Sequence, residues 1–346
     1  MSDHRVAING FGRVGRHFLR AVVARDSAID VVALNDLNTA PILAHLLEYD
    51  TVHGRLDVDV KTSDAAIMLG DRHIDVLHAA HPATLPWSTL AVDTVVECTG
   101  LFTQRSRAAS HLVAGASRVI VSAPIDSADV TICVGVNEDQ LRRGAHRIVS
   151  SASCTTNCVA VLASVLDTKF GIESAWATTV HAYTNRQHCL DTPDHDLRMA
   201  RAAAHNIVPT HTGADRVLEQ IIPSLAGRID SVAVRVPVPD GSLTDLTCTL
   251  KTEVTVDEVN QCFAEAARSP RLTGVLRYTD VPLVSSDVVG DSNSCVMTGA
   301  DTKTRGREVK VFGWYDNEWG YANRLLDLVE LSAGLEISRQ ATQRAG

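Results

Sequence analysis

Cys154 stands in SASCTTNC (151–158), just ahead of the apolar stretch CVAVLASVL. Residues 155–169 read as a long helix closed by Gly171, which puts Cys154 at its mouth. Unpaired backbone N–H groups and the helix dipole favour a thiolate there, so the thiol pKa is expected below its free value of about 8.5. The same N–H groups can hold an oxyanion, and Ser153, Thr155 and Thr156 add hydroxyls suited to an anion. An isolated cysteine at this position reads equally well as a small buried hydrophobe. Cys158, one turn deeper, reads as packed. A cysteine nucleophile also needs a base. The chain has 14 histidines, and His181 is set apart by position: it ends the apolar strand AWATTVH where a long polar loop begins. Such a residue can pair with a thiol and shuttle protons. Taken alone, a histidine at the start of a loop is more readily a residue of no function.

Gly10-Phe11-Gly12-Arg13-Val14-Gly15 is G-x-G-x-x-G, a weak signal alone. Here it follows a strand and opens a helix, and Asp36 ends the second strand 21 residues after Gly15. The glycines allow a tight turn, close approach of a pyrophosphate and close helix packing, while the helix N-terminus meets negative charge. The Asp36 carboxylate would bond the adenosine ribose hydroxyls and repel a 2′-phosphate. Arg235 sits inside the apolar strand SVAVRVPVP, between Val234 and Val236. It meets either a buried carboxylate or a ligand anion, and the sequence favours neither. Arg198 and Arg201 flank the same elements, and Thr212-Gly213 offers a hydroxyl and a backbone N–H as a second anion corner.

These residues need a scaffold. Apolar runs at 5–9, 29–34, 92–98, 118–122 and 130–134 alternate with helical stretches such as 13–25. That predicts a parallel sheet covered on both faces, the doubly wound α/β class with a Rossmann dinucleotide-binding domain. The second half gives strands at 172–181, 229–237, 243–253 and 309–315, an α+β domain with a mostly antiparallel sheet. Residues 184–212 read as a long ordered loop, 320–333 as a closing helix and 334–346 as a polar, frayed tail. Two domains suit 346 residues with 45% hydrophobic content. The formal net charge of -9 argues against a dedicated nucleic-acid or anionic-membrane binder. No apolar run reaches membrane-spanning length, and MSDHRVAING lacks a signal-peptide layout. Eight scattered cysteines, several in apolar runs, read as reduced thiols of a cytoplasmic protein, and no paired CxxC suggests a zinc site.

In order along nearly the whole chain stand AINGFGRVGR, ALND, YDTVHGR, ECTGLF, VSAP, SASCTTNC, TTVHAYTNRQ, ARAAAHNIVPTHTGA, RVPVP, LVSSD and WYDNEWGYANRLLDL. Together they resemble the glyceraldehyde-3-phosphate dehydrogenase family. The resemblance implies a nucleotide domain of 1–153 completed by a C-terminal helix at about 319–335, and a catalytic domain of 154–318. It implies NAD as cofactor, a homotetramer and a cytoplasmic enzyme of glycolysis. Cys154 would attack the aldehyde, with His181 as base. Hydride transfer would leave a thioester, which inorganic phosphate would cleave to an acyl phosphate. Thr184 and Arg235 would take the substrate phosphate; Ser153, Thr155, Thr212 and Gly213 would take the attacking phosphate. Arg13 and Val14 would line the pyrophosphate, Ser122 the nicotinamide side, and Asn317 would hold the carboxamide.

The chain departs from its relatives at several positions. Met199 stands where the DLRRAR pattern has Arg, a loss that Arg198 or Arg201 could make good. Ser151, His211, Asp240-Gly241 and the helix ADRVLEQ replace more usual residues, and Ala80 stands where many relatives carry an Arg beside the adenine. Two related readings follow. One is erythrose-4-phosphate dehydrogenase, similar at DVLHAAHPATLPW and GVNEDQLRRGAHRIVS. The other is a specialised, inhibitor-tolerant or non-catalytic paralogue.

Overall fold

Four of the five residues of the strand Arg5–Asn9 are buried, as are Thr94–Glu97 throughout, because helices cover both faces of their sheet. The computed structural model describes residues 4–335 and Ile337. It divides into two units, one of residues 4–132, 138–152 and 322–335, the other of 133–137 and 153–321. The expected frayed tail 334–346 lies mostly outside the described residues.

The first unit holds a nine-stranded sheet. Seven strands run parallel in the order Val130–Thr131, Ile148–Ser150, Arg118–Val121, Thr94–Glu97, Arg5–Asn9, Asp30–Asn35 and Arg72–Leu77. Ala66–Leu69 and Val60–Thr62 extend the edge antiparallel. The chain winds outward both ways from Arg5–Asn9. Its switch point, where such sheets bind ligands, is therefore the crevice beyond the carboxyl ends of Arg5–Asn9 and Thr94–Glu97. The helix Trp319–Ala333 closes this unit with its later turns. Arg25 bonds Asp327 and Glu330 at 2.7 Å each, wholly buried, and Ser27 Oγ donates to Glu330. A buried cation is tolerable only when paired with buried carboxylates in this way.

The second unit builds on the helix Cys154–Phe170, whose middle turns are buried on every side. It is capped by Ser153, whose Oγ accepts from the Thr156 N–H at 3.1 Å, and it stops at Gly171 with φ +70°. Beneath it lies a sheet ordered Val208–Thr210, Ile229–Val236, Ile172–Ala182, Ser242–Leu250, Glu308–Tyr315, Cys295–Thr298 and Leu276–Thr279, with Lys303–Arg305 paired to Glu308–Tyr315. Most pairs are antiparallel. Ile172–Ala182 with Ile229–Val236, and Leu276–Thr279 with Cys295–Thr298, are parallel. Gly313 lets helix and sheet touch: a Cβ there would fall 2.7 Å from Cys295 Sγ and 2.9 Å from Leu162. Cys158 packs against that glycine, as expected. The polar loop after residue 183 is ordered and contains the edge strand Val208–Thr210.

Candidate active site

Backbone register brings the second unit's site together. In the parallel pair, His181 lies opposite Arg235 and Ala182 opposite Val236. The helix N-terminus then meets this strand end: Cys154 Sγ is 3.5 Å from His181 Nε2. Just before the helix, Ala152 takes φ +54°, a region costly for a residue with a Cβ. Strain held beside a reactive group is a common feature of functional sites.

His181 Nδ1 lies 2.7 Å from the Ala182 carbonyl and 2.5 Å from Arg235 Nη1. It can donate to the carbonyl or accept from the guanidinium, not both at once. Arg235 Nη1 also reaches Ala182 O at 3.0 Å, so both nitrogens can donate to that carbonyl, which has two lone pairs. That arrangement leaves the Nε2 lone pair facing sulfur, as a general base requires. Tyr315 completes the wall, its ring edge-on to His181 and its hydroxyl 3.0 Å from Thr155 Oγ1.

The expected depression of the thiol pKa is not what these surroundings give. Burial pushes Cys154 up to about 11, against the pull of Arg235 and of hydrogen bonds from Thr155. Burial, with Arg235 adding to it, lowers His181 to about 3. Singly, each group is neutral. The helix N-terminus acts the other way, and a proton passed from sulfur to Nε2 leaves opposite charges 3.5 Å apart.

Of the other expected anion ligands, Thr155 touches Cys154 and Tyr315, while the Ser153 hydroxyl caps the helix. Thr184 follows the strand that carries His181, and Gly213 precedes the helix Ala214–Ile221, where the Thr212 hydroxyl accepts from the Ala214 N–H at 3.3 Å. Arg235 Nε is buried without a hydrogen-bond partner, so one face of its fork is unused. Arg198 and Arg201 are the arginines that could make good the loss at Met199. They pair with Asp196 and Asp191 of their own loop at 3.3 and 3.0 Å, and Met199 is buried. Sequence reasoning missed Arg186, whose charge acts on Arg235, although it stands in the quoted run TTVHAYTNRQ. Burial, then Asp316 and Glu318, push Asp240 up to about 8. That shift favours the protonated form of the acid that replaces the usual asparagine, which can donate as an amide would.

In the first unit, Gly10, Gly12, Asp36, Leu37, Ala80, Thr99 and Phe102 help line a cavity of about 320 Å³. Its lining joins the glycine turn to the acidic end of the second strand, the pairing that a dinucleotide's adenosine side requires. Gly10 has φ +89°, and a Cβ there would meet Thr99 at 2.7 Å; a Cβ on Gly15 would meet Gly10 O at 2.3 Å. At Gly12 nothing lies within 4 Å, which leaves room for a phosphate against the helix N-terminus. Val14 lies in that first turn. The Arg13 side chain pairs with Asp50, and its backbone opens the helix. Burial would raise Asp36, but the N–H groups of Asn38 and Phe11 and the Asn38 side chain outweigh it and hold the carboxylate ionised. Ser122 donates its N–H to Glu97 O at 2.9 Å and hydrogen-bonds the Cys98 thiol. Asn317, in the second unit, is buried and accepts from Ser242 Oγ at 2.7 Å.

Because Asp36 is fixed and charged, NAD is expected to exceed NADP in kcat/KM by about 100-fold or more. Steady-state rates with each cofactor at saturating aldehyde and phosphate check this. A ratio near one would mean that Asp36 does not meet the ribose.

Comparison with known proteins agrees with both halves. The family profile described as "Glyceraldehyde 3-phosphate dehydrogenase, NAD binding domain" matches residues 4–105, and "Glyceraldehyde 3-phosphate dehydrogenase, C-terminal domain" matches 153–317. The chain is 51% identical over 327 residues to glyceraldehyde-3-phosphate dehydrogenase 2 of Streptomyces arenae, covering 94% of this chain and 98% of the relative. It is 50% identical to the enzyme of Streptomyces coelicolor, covering 94% and 97%, and 51% identical to that of Mycobacterium tuberculosis, covering 94% and 98%. A catalytic-type thiol–imidazole pair, a glycine-lined nucleotide cavity and this extent of identity have one common explanation: the chain belongs to the glyceraldehyde-3-phosphate dehydrogenase family.

Proposed function

We propose that this chain oxidises glyceraldehyde 3-phosphate to an acyl phosphate, using NAD and inorganic phosphate, through a thioester on Cys154. The observation that carries this reading is the Cys154 Sγ to His181 Nε2 contact of 3.5 Å beside a half-used Arg235. His181 Nε2 takes the thiol proton as sulfur adds to the aldehyde carbon. The N–H groups at the helix mouth and the imidazolium stabilise the oxyanion. NAD, when bound, would supply the acceptor for the hydride of that carbon. The imidazolium first returns its proton to the oxyanion, giving the hemithioacetal hydroxyl; His181, neutral again, takes that proton back as the hydride leaves and the carbonyl reforms, leaving the thioester. A phosphate oxygen then attacks the carbonyl carbon, and the Cys154 thiolate leaves.

Arg235 and Thr184 are assigned to the substrate phosphate, and Ser153, Thr155, Thr212 and Gly213 to the attacking one. Gly10, Gly12, Arg13, Val14, Gly15 and Asp36 are assigned to the dinucleotide, with Ser122 and Asn317 toward the nicotinamide. The functional division is a nucleotide domain of 1–153, completed by the last helix, and a catalytic domain of 154–318. A homotetramer accords with the outer face of the second unit's sheet, where Trp176 is 65% and Val232 50% exposed beside the half-buried Val180, Phe312 and Trp314. Eight free thiols accord with the cytoplasm, and no helix among the described residues is long and apolar enough to cross a membrane.

The direct test is turnover with and without inorganic phosphate. Multiple turnovers require it if phosphate cleaves the thioester. Turnover at full rate without phosphate would favour hydrolysis instead. Arg235→Leu should lower kcat/KM for the phosphorylated aldehyde about 10- to 100-fold, the worth of a charge-assisted hydrogen bond. Unphosphorylated glyceraldehyde should suffer far less. Equal losses on both substrates would make Arg235 structural.

A further inference from the structure

Ser242 opens the strand Ser242–Leu250 and is fully buried. Its Oγ accepts from the Ala182 N–H at 3.1 Å and lies 2.7 Å from the Asn317 side-chain amide. A hydroxyl carries one proton. The Ala182 contact can only be a donation to Ser242, since a backbone N–H does not accept. No other acceptor for the Ser242 proton exists among the described residues, and a buried donor left unpaired is costly. The proton therefore goes to Asn317, and the amide atom facing Ser242 must be the oxygen. That fixes the flip of the amide, with Nδ2 turned away from Ser242 and available as a donor. An asparagine alone has no such preference, because its two ends have nearly the same shape.

The backbone of the same residue, Ala182, serves the nucleophile. Ala182 O receives His181 Nδ1 at 2.7 Å and Arg235 Nη1 at 3.0 Å, while Ala182 N–H holds Ser242. The two peptide units flanking Ala182 thus orient the imidazole through the Ala182 oxygen and, by way of Ser242, the Asn317 amide through the Ala182 nitrogen.

We propose that Ser242 is a positioning residue that sets the Asn317 amide so that its N–H₂ faces the nicotinamide carboxamide oxygen of the cofactor. This rests on the assignment of Asn317 to the carboxamide. Ser242 touches neither substrate nor cofactor; it acts through Asn317. Without it the amide turns freely, and half of its orientations present an oxygen to an oxygen.

The test is equilibrium binding of NAD and of ADP-ribose, which lacks the nicotinamide, to the full-length protein. Ser242→Ala should weaken NAD by about 3- to 10-fold, the worth of one uncharged hydrogen bond, and leave ADP-ribose unchanged. KM for NAD should rise by a similar factor. In an Asn317→Ala background, adding Ser242→Ala should change NAD affinity no further. Should the alanine variant not fold, Ser242→Cys, which keeps a weak donor of similar size, is judged by the same comparison. If Asn317→Ala weakens NAD but Ser242→Ala does not, or if Ser242→Ala weakens NAD and ADP-ribose alike, the proposal is overturned. If Asn317→Ala leaves NAD unchanged, the carboxamide assignment falls, and the proposal with it.

Discussion

Cys154→Ser is expected to abolish dehydrogenase turnover, with a loss of at least about 10³-fold, while NAD binding and thermal stability stay close to those of the parent. The reason is acidity. A thiol loses its proton near neutral pH with modest help; an alkoxide is far harder to form. Burial already pushes the Cys154 thiol up to about 11, so the site depends on His181 and the helix N-terminus to release the proton. Neither can do as much for a serine. NAD binding should persist because the cavity lined by Gly10, Gly12 and Asp36 lies in the other unit. Stopped-flow formation of NADH in a single turnover, with NAD titration alongside, separates the two effects. A variant working at a tenth of the parent rate would remove Cys154 as nucleophile.

His181→Asn is expected to slow hydride formation by about 10²–10⁴-fold, the usual scale for a general base. Asparagine can still donate toward an oxyanion but cannot carry away the thiol proton. The substitution should also shift the pH profile of Cys154 alkylation. The thiolate is the reactive form and is populated as pH rises through the thiol pKa. Removing the proton acceptor 3.5 Å from Sγ leaves burial unopposed on that side, so the apparent pKa rises and the profile moves to higher pH. Iodoacetamide inactivation measured from pH 5 to 10 reads this shift. An unchanged profile would mean that the imidazole does not share the thiol proton.

The local signals on which the nucleotide half was read are short-range. A strand buried on both faces, three glycines at fixed spacing and an acidic strand end sit within 32 residues, Arg5 to Asp36. Their geometry is set by neighbours in the chain, so spacing is enough to find them. The long helix was legible for the same reason: an apolar stretch with Ser153 before it and Gly171 after it. Short strands such as Val60–Thr62 and Cys295–Thr298 were not read. They carry too few residues to show a period. The helix Val256–Ala267 was missed despite a complete capping box at Thr255 and Glu258, since only Val259 and Phe263 of its length are buried.

By itself the sequence determined the residue types that carry the chemistry, the Rossmann half and, through its long run of shared segments, the family. It could not decide between a buried carboxylate and a ligand anion for Arg235. Parallel register settled the surroundings: Arg235 is brought opposite His181, 54 residues away, with its Nε left without a hydrogen-bond partner. Nor could it give the sign of the thiol shift, because helix-end position and burial push in opposite directions and burial is a property of the packed unit. The fate of Arg13, whose side chain goes to Asp50, was likewise hidden, as was the engagement of Arg198 and Arg201 with their own loop. The surface pairs of Arg198 and Arg201 depend on how their loop folds back on itself, and the others on which distant groups share a dry space; only the folded chain decides either.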